Sequence, residues 1–154
     1  LAGGIAIIRV GGSTESELTE RKDRVDDSLN ATKAAIEEGI VAGGGLALVR
    51  ASRRIEIPPG ESSGFEMGVK VVQKSCTAPF RQIVENAGGI PDVILEKILS
   101  MTCSDGYDAA SETFGDMFEM GIIDPLKVVR SALENAVSSA SMLLTVGCTL
   151  VEDE

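Results

Sequence analysis

Histidine and tryptophan are absent from this 154-residue chain, and aromatic residues make up only 3% of it. Without histidine, no catalytic triad that relies on an imidazole base can be assembled. Scarce aromatics leave Leu, Ile, Val and Ala to fill the interior, and at 44% apolar residues the chain is long enough to bury a real core. The cysteines number only three, Cys76, Cys103 and Cys148, widely spaced and without a CxxC pair. That spacing indicates neither a disulfide framework nor a zinc site, and a reducing compartment is expected. No stretch reaches the roughly 20 continuous apolar residues needed to cross a bilayer, and no charged leader with a small-residue cleavage site opens the sequence. No membrane partner is expected. Basic residues are also few, 14 against 24 acidic, for a net charge of −10. Such an excess of negative charge opposes contact with a phosphate backbone, so no nucleic-acid partner is expected either.

Glycine, by contrast, is abundant, and its most informative placement is the run from Ala34 to Gly45, AAIEEGIVAGGG. A helix, a glycine stop at Gly39, a short apolar strand and a triple-glycine turn opening another helix follow each other within twelve residues. Successive glycines let the backbone approach a bound group closely, and amides at a helix start carry partial positive charge suited to phosphate or hydroxyl oxygens. A tight turn is the alternative reading of the same glycines. Neither standard nucleotide fingerprint is complete: after Gly43-x-Gly45 the third glycine position holds Leu48, and no Lys-Ser/Thr pair follows. A free-standing dinucleotide enzyme is therefore poorly supported, the more so because the chain reads as helical rather than as alternating βαβ units.

The fold class expected is mainly α with small β elements. Ile5 to Val10, bounded by glycine pairs, reads as a short strand. Thr14 and Glu17 have the spacing of a capping box, and Leu18, Val25, Leu29 and Ile36 follow as the apolar stripe of a helix ending at Gly39. Leu46 to Ile55 continues as helix, and Ile57 to Gly64 is a polar loop. Three short helices cover Phe65 to Cys76, Phe80 to Ala87 and Pro91 to Leu99, divided by Pro79 and by Gly88-Gly89. Between Gly106 and Asp124 a small β-pair is expected, with Tyr107 on one strand and Ile122-Ile123 on the other, bringing Asp108 close to Asp124. Asp124-Pro125 has the pattern of an N-cap with proline at the first helical position, and Val129, Leu133, Ala136, Ala140 and Leu143 mark the buried face of a long last helix. Cys148 to Val151 reads as a closing edge strand.

The twelve-residue run resembles the signature of the group I chaperonins, the GroEL-type heat-shock proteins that fold other proteins with ATP. The resemblance extends through LAGGIAIIRVGG, RVDDSLNATKAA, GYDAAS, MGIIDPLKVVRSALENA and CTLVEDE, in the same order and essentially from end to end. It implies the C-terminal part of such a subunit: residues 1–38 as a strand and long helix of the intermediate domain, and residues 39–154 as the C-terminal half of the equatorial nucleotide-binding domain. The rest of that subunit would lie outside this sequence, in keeping with a first residue that is Leu rather than Met. It further implies a double ring of identical subunits, with unfolded polypeptides and a co-chaperonin as partners of the complete protein. The implied location is the bacterial cytoplasm, with the mitochondrial matrix or plastid stroma as alternative.

Site residues follow from the same resemblance. Asp27, the second acid of RVDD, is implied as the catalytic carboxylate that helps activate the attacking water. On an ideal helix it points about 200° away from Val25 and Leu29, which by itself makes it an exposed charge. Gly44, Asp108, Ala109, Ala110 and Asp124 are implied as the nucleoside site, backbone groups meeting adenine and ribose edges and the Asp124 carboxylate accepting from ribose hydroxyls. Ordinary readings stand beside these: Gly44 as a turn, Asp108 as a turn acid and Asp124 as a helix cap. Much of the family has Asn at position 108, and Asp keeps an oxygen there while losing an amide donor. The implied cofactor is ATP with Mg²⁺, the metal's ligands and the phosphate loop coming from the missing half; no metal ligand is expected within this chain. Glu37 and Glu38 are expected to pair with Lys127 and Arg130, and Gly39 to act as a hinge. A helical structural or assembly module without nucleotide binding in isolation is the alternative from another class.

Overall fold

The structure is a computed structural model, and it describes residues 4–148. It is mainly helical: among the described residues six helices and four short strands follow in the order α1 (Glu15–Glu38), β1 (Ile40–Ala42), α2 (Leu46–Ser52), α3 (Ser63–Ser75), α4 (Ala78–Asn86), α5 (Pro91–Leu99), β2 (Asp105–Asp108), β3 (Thr113–Asp116), β4 (Ile123–Pro125) and α6 (Leu126–Thr145).

Helix α1 begins where its capping residues require. Thr14 Oγ1 accepts from the Glu17 amide at 3.2 Å, and Glu17 Oε2 reaches back to the Ser13 amide at 2.7 Å, so two otherwise orphaned donors are satisfied. The helix ends at Gly39, whose φ of 88° and ψ of −169° suit only glycine. Between these ends the expected stripe is not buried. Leu18, Leu29 and Ile36 are exposed and Val25 half-buried; the buried residue is Ala34. Helix α1 packs against β4 and α6, with Glu37 and Glu38 paired to α6, and at this crossing the small Ala34 is covered while the neighbouring Ile36 faces away.

The strands pair differently from the sequence expectation. β1 runs antiparallel to β4, with Val41 opposite Asp124 and Ala42 opposite Ile123. β2 runs antiparallel to β3, with Tyr107 opposite Phe114 and Asp108 opposite Thr113. Tyr107 and Ile123 thus belong to separate two-stranded sheets. The reason is local: Asp108 and Ser111 build a tight turn that returns the chain onto β2, while Ile122–Asp124 is free to pair with the strand preceding the glycines. Ile5 to Val10 forms no strand; Ile5, Ile7 and Ile8 are exposed, and no segment among the described residues offers them a ladder of backbone partners.

Several boundaries move. Helix α2 stops at Ser52 rather than Ile55, and the Gln73 side chain donates to the carbonyls of Ser52 and Ile55, satisfying acceptors the helix end leaves over. Pro79 lies within the first turn of α4, a position where its missing amide costs nothing. Asp124 is a strand residue, not a cap: Pro125 precedes α6, and the Leu126 amide donates to Gly39 O at 3.0 Å. On α6, Val129 and Leu133 are half-buried, but Ala136, Ala140 and Leu143 are exposed, because no described element covers the second half of that helix. The expected edge strand from Cys148 to Val151 falls largely outside the described residues. Cys76, Cys103 and Cys148 are free thiols, as expected.

The core lies where the glycine turn meets the two sheets. Leu46 and Val49 of α2, Phe80 and Val84 of α4, Ile98 of α5, Tyr107 of β2 and Met117 close on one another with Ala42 of β1. Gly45 permits this closure: a Cβ there would stand 2.7 Å from the Phe80 nitrogen, so only glycine lets α2 start against α4.

Candidate functional site

The triple-glycine turn gathers the candidate nucleoside residues around itself. The Gly43 amide donates to Ile122 O at 2.9 Å, placing the turn beside the segment that becomes β4 and carries Asp124. Gly44, with φ of 63°, stands over the end of β2: a Cβ on it would be 3.9 Å from Tyr107 O, one residue before Asp108. Gly44, Asp108 and Asp124, separated by up to 80 positions in sequence, are thus each within two residues of a contact with the same turn. Val41 opposite Asp124 in the β1–β4 ladder fixes the height of that carboxylate relative to the glycines.

The three positions differ chemically. No hydrogen bond or ion pair among the described residues engages the Asp124 carboxylate, which leaves both oxygens as acceptors. Asp108 is occupied: its Oδ1 accepts from the Ala110 amide at 2.9 Å and its Oδ2 from Ser111 Oγ at 2.6 Å, while Ser111 and Thr113 hydroxyls lie 2.7 Å apart. The Ser111 hydroxyl and then the Ala110 amide hold the Asp108 carboxyl below its ordinary range. Asp108 therefore acts here as a turn acid, and the Ala110 amide is spent within the turn. What remains for a ligand are the backbone carbonyls and amides not committed to it, and the half-buried Ala109 packed against the core.

No hydrogen bond or ion pair among the described residues joins Asp27 to this cluster. Asp27 lies twelve positions before Gly39 on α1, about 18 Å along the helix axis at the usual rise, and is exposed. The geometry of α1 is instead held at its other end. Glu37 pairs with Lys127, and Arg130 donates through Nε and Nη2 to the two Glu38 oxygens at 3.0 and 2.6 Å while its Nη1 reaches Glu134. The expected Glu37–Glu38 to Lys127–Arg130 contact is therefore present in the structure.

Two residues matter to the cluster that sequence reasoning did not single out. Arg50 Nη2 donates to the carbonyls of Ile98, Thr102 and Asp105 at 2.7, 2.6 and 3.1 Å, tying α2 to the end of α5 and the start of β2. Its partners are backbone carbonyls, which leave no trace in side-chain spacing. Met117, 1% exposed, fills the space beneath Gly44 and Gly106. A pair of glycines facing one large apolar residue is a signal only once the strands are known to be adjacent. Among the described residues no group of three acids or cysteines could hold a metal ion.

A mainly helical body with two short ribbons flanking a glycine turn defines a specific architecture, and comparison identifies it. The sequence model of the TCP-1/cpn60 chaperonin family matches residues 1–154. The chain belongs to that family. Among solved structures, it is similar to one described as the crystal structure of a group III chaperonin in the open state, at 27% identity and a TM-score of 0.79. The match covers 92% of this chain and 30% of that one, so the chain spans less than a third of the length of the chaperonin it matches.

Proposed function

We propose that this chain is the C-terminal part of a group I, GroEL-type chaperonin, an ATP-driven protein-folding machine, and that it contributes the nucleoside side of the ATP site. The observation that carries this reading is the convergence of Gly44, the Tyr107–Asp108 segment and the Asp124 strand on one glycine turn. Within it, residues 1–38 belong to the intermediate domain and residues 39–154 to the equatorial domain, with the glycine-specific backbone at Gly39 as the hinge.

The donor set fits a nucleoside in part. A left-handed glycine exposes its peptide groups without a side chain in the way, and the uncommitted Asp124 carboxylate suits ribose hydroxyls. Asp108 supports the site through its turn, ordering Ala109 and Ala110, rather than by a direct bond from its carboxylate. When bound, ATP with Mg²⁺ supplies a polarised phosphoanhydride; the metal's ligands and the phosphate loop lie in the rest of the subunit. Asp27 is the hydrolysis-linked residue. Hydrolysis requires α1 to pivot about Gly39 so that Asp27 comes over the nucleotide and orients the attacking water, which couples chemistry to domain motion. The complete protein forms a double ring in the bacterial cytoplasm, or in an organelle of bacterial descent, and encloses unfolded polypeptide with a co-chaperonin.

The test is nucleotide titration of the isotopically labelled chain, followed by ATP turnover after mixing with the missing half. We expect weak binding marked by shifts of the Gly44 and Asp124 amides, negligible turnover alone, and turnover on mixing that Asp27→Ala abolishes while binding persists. A folded mixture without turnover, or full turnover with Asp27→Ala, would overturn the assignment.

A further inference from the structure

We propose that Met117 is the positioning residue that sets the spacing between the three segments of the candidate nucleoside site, an inference that rests on the nucleotide reading for its function but not for its geometry. Met117 touches all three segments. Its side chain lies under two glycines on different elements: a methyl group at Gly106 of β2 would come 2.6 Å from Met117 Sδ and 2.7 Å from Cγ, and one at Gly44 would come 3.1 Å from Cε. The thioether thus occupies the space that side chains at both positions would need, with Cγ and Sδ against the strand leading to Asp108 and Cε against the glycine turn. Its backbone joins the third segment. Met117 O accepts from the Ile122 amide at 2.8 Å, Ile122 O accepts from Gly43, and the Met117 amide donates to Ser104 O at 3.0 Å, just before β2.

The local sequence holds this hub in place. Asp116 Oδ1 accepts from the Phe118 and Glu119 amides at 2.8 and 3.1 Å, turning the chain immediately around Met117 and directing its side chain inward. At 1% exposure, Met117 is part of the core rather than a surface group. Methionine suits the task because it is unbranched and long: Cγ and Sδ lie beside Gly106 and Cε reaches on to Gly44, whereas leucine branches at Cγ and ends one atom short of the position that meets the glycine turn. A shift of one segment against another by a fraction of an ångström would misalign backbone groups meant for one ligand, and misplacement on that scale weakens recognition without unfolding the protein.

The experiment compares the wild-type 154-residue chain with Met117→Leu, Gly106→Ala, Met117→Ala, and the Gly106→Ala/Met117→Ala double variant. In the nucleotide-free protein, Met117→Leu is expected to move the Gly44 and Asp108 amide resonances together and to speed hydrogen exchange at Gly43 and Ile122, with helix content retained. ADP affinity is expected to fall about fivefold or more while the unfolding midpoint moves by only a few degrees, a split that a purely structural role would not produce. Gly106→Ala should be destabilising alone and less so when Met117 is shortened, because the new methyl then fills space rather than colliding. Unchanged Gly44 and Asp108 resonances in Met117→Leu, or independent effects in the double variant, would overturn the inference. Should the wild-type chain show no ADP-dependent shifts at Gly44 and Asp124, the nucleotide reading falls, and the nucleotide-free resonances and the double variant still decide whether Met117 sets the spacing.

Discussion

Gly45→Ala is the sharpest probe of how the glycine turn is built. Two costs act at this position. Gly45 has φ of 76°, and an L-residue held in the left-handed region costs about 1–2 kcal/mol. In addition, its Cβ would stand 2.7 Å from the Phe80 nitrogen and 2.9 Å from the Phe80 Cα. These are backbone atoms of α4 beside the fully buried Phe80 ring, so relief requires α2 and α4 to separate, an overpacking strain of about 1–3 kcal/mol. Gly60 provides the control: its φ is 92°, and nothing lies within 4 Å of the same methyl. Alanine reduces unfolded-chain entropy alike at both sites, so that contribution cancels in the comparison. The difference between Gly45→Ala and Gly60→Ala therefore isolates the collision, about 1–3 kcal/mol, or roughly 2–12 °C in midpoint for a chain of this size. Thermal and urea unfolding of the two variants measure it. Equal losses would refute the close approach of α2 to α4 on which the core is argued.

Three further outcomes are expected. The hydrogen bond from Arg130, reinforced by its charge and that of Lys127, holds the Glu38 carboxyl below its ordinary value of 4.5. A depressed folded-state value means the contribution is complete above the ordinary value and lost as pH falls through the lowered one, so protection of the Leu126 amide, corrected for intrinsic exchange, should drop in that acidic window. Glu38→Gln should flatten this dependence, and an unaltered profile would count against it. Glu112 has φ of 55°, the one non-glycine residue with positive φ among those described, and Glu112→Asn should stabilise the β2–β3 turn by about 0.5 kcal/mol in urea unfolding. Arg50→Met should cost about 1–3 kcal/mol, since the carbonyls of Ile98, Thr102 and Asp105 lose a shared charged donor while those of Ile98 and Thr102 keep the Met101 and Asp105 amides, and Arg50→Lys should recover only part of it in the same assay.

Local chemistry made much of the fold legible. The Thr14 and Glu17 spacing encodes the start of α1, Gly39 its end, and Pro91 the start of α5, because caps and breakers act within a few residues. The glycine run is legible for the same reason, since left-handed backbone at Gly44 and Gly45 is a property of residues without Cβ. The apolar stripes of α1 and α6 show where periodicity stops being informative: a stripe marks surface that some element can cover, and among the described residues nothing covers Leu29, Ile36 or Leu143.

What the sequence by itself determined is therefore the helical class, most element boundaries, the glycine turn and, through the ordered motifs, the chaperonin family. Only the tertiary structure decided which strands pair, and hence that Asp108 and Asp124 sit on separate ribbons joined through the glycine turn rather than on one hairpin. It also decided that the Asp108 carboxylate is spent on its own turn, that Asp27 is exposed on α1, and that Arg50 and Met117 hold the segments together. The physical reason is the range of the interactions. Caps, turns and helix periods are settled by neighbours along the chain, whereas strand pairing, carbonyl clamps and the filling of two facing glycines depend on residues tens of positions apart meeting in one core.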